Sequence, residues 1–137
     1  MLGLFKPKKK TSRARVLVVD DEADIVSTVK YRLEFNEFEV VTAINGKEGL
    51  EKAASEKPDI ILLDISMPVM NGHEMLERLK NSPDIKDIPV IVVSAFSDAK
   101  DIAKAAELGI ADYVTKPFDY TDLMGKIANA LENKVKR

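Results

Sequence analysis

A chain of 137 residues, 45% hydrophobic and 32% charged, has room for one core and the composition of an ordinary folded domain, which excludes a disordered or fibrous protein. It has no cysteine, so disulfide frameworks and thiolate chemistry are excluded, a composition that fits a reducing cytoplasm. The net charge of −2 is uneven: Lys6, Lys8, Lys9, Lys10, Arg13 and Arg15 place six positive charges in an acid-free opening. That leaves −8 on the remainder and argues against a broad nucleic-acid-binding surface. Residues 1–13 read as a basic, disordered arm. The alternative is weak contact of the Lys6 to Arg15 stretch with a membrane or another anion, with Leu2, Leu4 and Phe5 as anchor. No apolar run approaches the roughly 20 residues of a membrane span. The opening apolar residues are too few, and precede the basic ones, so they do not make a signal peptide.

Arg15 to Asp20 is an apolar run ending in an acid and predicts a strand. Glu22 to Phe35 follows with Ile25, Val26, Val29 and Leu33 at helical spacing and acids in its first turn, where the helix dipole favours them. Phe38 to Ala43 predicts a strand, and Lys47 to Glu56 a helix with Leu50, Ala53 and Ala54 as its apolar face. Asp59 to Asp64 carries four consecutive aliphatic residues into one carboxylate, the pattern of a central strand buried on both faces. A helix from Gly72 to Lys80 uses Met75, Leu76 and Leu79. After a polar loop from Asn81 to Pro89, Val90 to Ser94 predicts a fourth strand, Ala99 to Leu108 a helix closed by Gly109, and Ala111 to Val114 a fifth strand. Asp119 to Lys134 is the closing helix, with Leu123, Ile127, Ala130 and Leu131 inward.

Strict alternation of five strands and five helices predicts a doubly wound α/β domain with helices on both faces of a parallel sheet. The flavodoxin-like order 2-1-3-4-5 suits it, with a switch point between the first and third strands. Ligands bind in such sheets beyond the carboxyl ends of the strands. Asp20 and Asp21 then face Asp64 across the crevice, and Asp64 is the expected functional centre. A bare cap for the next helix is the blander reading, which Pro68 and the loop after it disfavour. Three mutually repelling carboxylates suit a hard cation, and few protein ligands with retained waters suit Mg²⁺. Ser94 adds a hydroxyl and Lys116 an ammonium, a set built to stabilise a phosphoryl group. Asp64 can be the nucleophile that forms an aspartyl-phosphate. Lys116 would pair with the phosphate and Ser94 hydrogen-bond it, with Mg²⁺ bridging it to Asp21 and Asp64. The Lys116-Pro117 bond is a candidate for cis, which sequence alone leaves open.

Val18-Val19-Asp20-Asp21-Glu22, Asp64 with Met67-Pro68 and Gly72, Ser94-Ala95 and Lys116-Pro117-Phe118 together resemble the receiver domain of bacterial two-component response regulators. The resemblance covers residues 14–134. It implies that Asp64 accepts a phosphoryl group from a histidine kinase or a histidine phosphotransfer protein and passes the signal to a downstream protein target. It implies that Asp21 binds Mg²⁺ directly, Asp20 through water and Ser66 through its backbone carbonyl. Tyr113 matches the aromatic position that such domains couple to the strand-4 hydroxyl, here Ser94, as a switch that remodels the surface of helix 4, strand 5 and helix 5. The blander reading of Tyr113 is plain packing. Ser66 and Phe96 occupy positions that tune the phosphoryl lifetime. Such a domain catalyses its own phosphorylation and dephosphorylation and turns over no external substrate.

A flavodoxin shares the fold, but Asp20-Asp21-Glu22 would repel its cofactor's phosphate. A haloacid-dehalogenase-type phosphatase wants a second Asp two residues after the nucleophile, where Ser66 stands. The remaining alternative is a receiver cut from a larger regulator with a DNA-binding or catalytic output domain. The opening Met1 and the lack of a helix-turn-helix favour a free-standing protein. His73, the sole histidine, reads as an exposed first-turn residue without a role, and Met67, Met70, Met75 and Met124 as loop and core filling.

Overall fold

The computed structural model describes residues 13–66 and 70–136, the side chains of 134–136 excepted. The expectations for residues 1–12 of the basic arm, and for Met67 and Pro68, lie outside the described residues. Five strands, β1 (Arg15–Val19), β2 (Glu39–Ala43), β3 (Ile60–Leu63), β4 (Val90–Ser94) and β5 (Asp112–Thr115), form one parallel sheet in the order β2-β1-β3-β4-β5. Helices α1 (Ala23–Phe35), α2 (Gly46–Glu56), α3 (Gly72–Lys80), α4 (Ala99–Glu107) and α5 (Tyr120–Lys136) make the crossovers. This is the doubly wound, flavodoxin-like arrangement expected from the alternation of elements.

Alternate residues of each strand feed opposite cores, as the pleat requires. Leu17, Val19, Ile61, Leu63 and Val92 pack beneath α2, α3 and α4 with Ala53, Met75, Leu76, Leu79 and Ala105. Val16, Val18, Ile60, Leu62 and Val93 pack beneath α1 and α5 with Val29, Leu33, Leu123 and Ile127. All four residues of β3 are buried. At about 1.5–3 kcal/mol for each buried aliphatic side chain, they far outweigh the cost of carrying one carboxylate to the strand's end.

Several boundaries and faces differ from expectation. β2 starts at Glu39, one residue late, and β5 is shifted forward by one to Asp112–Thr115. Ala54 is exposed; α2 instead turns Gly46, Gly49 and Ala53 inward. Glycine is demanded at position 46, where a Cβ would lie 2.6 Å from the Met70 carbonyl oxygen, and at position 49 a Cβ would crowd the end of the Met75 side chain at 2.9 Å. The polar loop before β4 contributes Ile85 and Ile88 to the core, and Leu131 is only half-buried. Asn71 caps α3, its Oδ1 accepting from the Glu74 N–H at 2.9 Å, so Asp64 is not that helix's cap. Gly109 ends the α4 turn at φ 83°, as its position after the helix predicts.

Candidate functional site

Parallel pairing sets the site. Val19 of β1 lies level with Leu63 of β3, so the next residues, Asp20 and Asp64, emerge side by side at the switch point. The ladder continues through them: Asp64 N–H donates to the Val19 carbonyl at 2.9 Å and Asp20 N–H to the Ala43 carbonyl at 3.0 Å. Both residues are buried to 4% exposure, while Asp21 is exposed at the rim. Oxygen atoms of Asp20, Asp21 and Asp64 all lie within 4.8 Å of one another. Asp64 Oδ1 accepts from the Ser66 N–H at 2.9 Å and Asp20 Oδ1 from the Glu22 N–H at 2.9 Å, which fixes the other oxygen of each toward the crevice.

Lys116, just past β5, reaches across the sheet. Its N–H donates to the Ser94 carbonyl at 2.8 Å, and the Lys116–Pro117 bond is cis. Its Nζ donates to Asp20 Oδ2 at 2.9 Å, Glu22 Oε1 at 3.1 Å and Asp64 Oδ2 at 3.4 Å. Burial alone would push the ammonium down, but its bonds to Asp20 and Glu22 and the Asp64 charge together hold it above its ordinary value. Burial likewise pushes the Asp64 carboxyl up, against the pull of the Ser66 N–H and Lys116.

Three carboxylates around one ammonium, with Asp21 beside them, give this crevice a formal charge of −3. An all-oxygen, strongly anionic donor set of this kind fits Mg²⁺, which takes few protein ligands and keeps waters. Asp20, Asp21 and Asp64 are the residues that could hold such an ion here.

Asp20, Asp21, Asp64 and Lys116 come together, and Glu22, which the sequence did not single out, joins them. Glu22, predicted as an opening helical residue, is instead the extended N-cap of α1 with no side-chain cap bond, which leaves its carboxylate free to meet Lys116. The only signal was its place directly after Asp20-Asp21. Ser94 is fully buried at the end of β4, and its Oγ accepts from the Phe96 N–H at 3.1 Å. Tyr113, level with Val92 on β5, donates its hydroxyl to the Phe96 carbonyl at 2.7 Å. Ser94 and Tyr113 therefore hold opposite ends of one backbone unit. The Phe96 ring itself is exposed. His73 departs from expectation, being half-buried rather than exposed; burial holds its imidazole below its ordinary value, with Lys104 of α4 adding to the shift and Asp101 opposing it.

Residues 16–128 match the response regulator receiver domain family. The chain belongs to that family. As a receiver, it is similar to the transcriptional regulatory protein PrrA of Mycobacterium tuberculosis (strain ATCC 25618 / H37Rv), 38% identical over 120 residues that cover 88% of this chain and 51% of PrrA. It is 37% identical over 113 residues to the alkaline phosphatase synthesis transcriptional regulatory protein PhoP of Bacillus subtilis (strain 168), covering 82% of this chain and 46% of that protein. The receiver thus spans about half the length of these curated relatives. Among solved structures, a CheY-like response regulator receiver domain protein from Methanospirillum hungatei JF-1 superposes with a TM-score of 0.84 at 33% identity, covering 91% of this chain and 98% of that one. Receivers are signalling modules of two-component systems, phosphorylated by histidine kinases. Among the described residues no helix is long and apolar enough to cross a membrane.

Proposed function

We propose that Asp64 is the phosphoacceptor of a switch that cycles between a free and a phosphorylated carboxylate. The observation that carries this is the buried Asp64 carboxylate between an acidic cluster and the Lys116 ammonium. Asp64 Oδ2 attacks the phosphorus of a phosphohistidine on a histidine kinase or a histidine phosphotransfer protein. The P–N bond breaks, its electron pair stays on the imidazole, and a P–O bond forms to Asp64. Asp20, Asp21 and Asp64, with the Ser66 carbonyl, would hold Mg²⁺, which when bound neutralises charge on the phosphoryl oxygens. Lys116 pairs with the new phosphate and Ser94 donates its hydroxyl to it.

The transferred group adds roughly −1.5 to −2 charges at the sheet edge. A Ser94 hydroxyl that turns toward it rebalances its bond from the Phe96 N–H, while Tyr113 grips the Phe96 carbonyl. The pair couples the phosphate to the surface formed by α4, β5 and α5, which meets a downstream protein. A second reading keeps this chemistry but makes the domain the input of a longer regulator with a DNA-binding output; the half coverage of PrrA and PhoP, both named as transcriptional regulators, favours it.

The test is electrophoretic mobility in a phosphate-affinity gel after incubation with acetyl phosphate. A retarded band that needs Mg²⁺ and vanishes in Asp64→Asn is the expected result. A band unaffected by that substitution contradicts the assignment.

A further inference from the structure

Lys116 has three acidic neighbours in the resting site, and they do not share it evenly. Its contacts to Asp20 and Glu22 are 2.9 and 3.1 Å, while Asp64 stands at 3.4 Å, long for a charge-assisted bond. Asp20 is buried and tied into the acidic cluster, so its share of the ammonium is fixed by the fold. Glu22 differs in every respect. Its side chain is 59% exposed and makes no cap bond to the helix it opens, and its carboxylate lies at the mouth of the crevice.

We propose that Glu22 is a positioning residue that draws the Lys116 ammonium away from Asp64, so that a phosphoryl group arriving on Asp64 must take Lys116 from it. This rests on the reading of Asp64 and Lys116 given above and adds a residue that sets how tightly the site holds its phosphoryl group. In the resting state the hold leaves Asp64 Oδ2 less engaged. In the loaded state it competes with the phosphate for the same ammonium. An exposed ion pair gains little and is screened by salt, so the competition is a tuning effect and not an on–off one.

The experiment is ¹⁹F NMR titration of the full chain, in Mg²⁺, with the beryllium trifluoride anion, a non-covalent mimic of a phosphoryl group. Glu22→Gln, which removes the charge, should bind the anion roughly two- to fivefold more tightly than wild type at low salt, in line with the modest strength of exposed pairs. Glu22→Asp keeps the charge but withdraws it by one methylene from Lys116; it should also tighten binding. Thermal midpoints of both variants without anion should stay close to wild type, since the Glu22 side chain makes no cap bond and its pair with Lys116 is exposed. Unchanged or weaker binding by Glu22→Gln, beside normal binding by wild type, overturns the role of Glu22 alone. Tightening in Glu22→Gln but not in Glu22→Asp also overturns it, because the effect would then come from the charge and not from the hold on Lys116. No binding by wild type overturns the reading of Asp64 and Lys116, and this inference with it.

Discussion

Asp64 is placed at a cost. Burial raises its pKa above the ordinary carboxylate value, so the folded protein holds a proton there more tightly than the unfolded chain does. The sign follows from linkage: between the ordinary and the raised value stability falls as pH rises, and at neutral pH the ionised carboxylate is a net burden. Asp64→Asn should therefore melt above wild type at pH 7 in metal-free buffer. The gap should close as pH falls through the ordinary carboxylate range, where wild type is protonated in both states. An equal or lower melting temperature for Asp64→Asn at pH 7 contradicts this. In the proposed role of Asp64, reactivity and burden on stability would share one source, a carboxylate kept from water beside a single ammonium. Asp20, Asp64, Ser94 and Lys116 were legible because each ends or directly follows an apolar strand run, which fixes where it emerges. Glu22 was not, because its direction depends on the extended N-cap backbone and on a lysine 94 residues away.

Among the helices, α4 is the least anchored. Its one buried residue is Ala105, whereas α3 buries Gly72, Met75, Leu76 and Leu79. Few buried apolar contacts mean a low free energy of local opening. Amide exchange should therefore be fastest in α4 among the described helices and should change there when acetyl phosphate and Mg²⁺ are added. In Tyr113→Ala that change should be lost, since the hydroxyl link to Phe96 is gone. A phosphate response in α4 that survives Tyr113→Ala contradicts the coupling. The sequence could pair Ser94 with Tyr113 only by resemblance, because their common partner is the Phe96 backbone, which no residue pattern records. Helix phase was the other blind spot. Ala54 fits an apolar stripe as well as Gly49 does, and only the approach of Met75 decides that glycine faces inward. His73 also departs from its reading, and the groups that act on it, Lys104 and Asp101, come from α4, a remote element.

At the scale of the whole molecule, strand order does the organising. Alternation of five apolar runs with five amphipathic ones was enough to expect the parallel sheet, and with right-handed crossovers the order β2-β1-β3-β4-β5 brings Asp20 beside Asp64. The two cores then hold both faces of the sheet, leaving its carboxyl edge as the place where polar groups gather. In the proposed function, only Asp64 among the carboxylates of the cluster receives a phosphoryl group. Borohydride reduction can distinguish these carboxylates, because it converts an aspartyl-phosphate to homoserine, a stable mark that peptide mass spectrometry can locate. After acetyl phosphate and Mg²⁺, homoserine should appear at position 64 alone, and it should be absent when Mg²⁺ is withheld. Homoserine at position 20 or 21, or none at position 64, would overturn Asp64 as the phosphoacceptor.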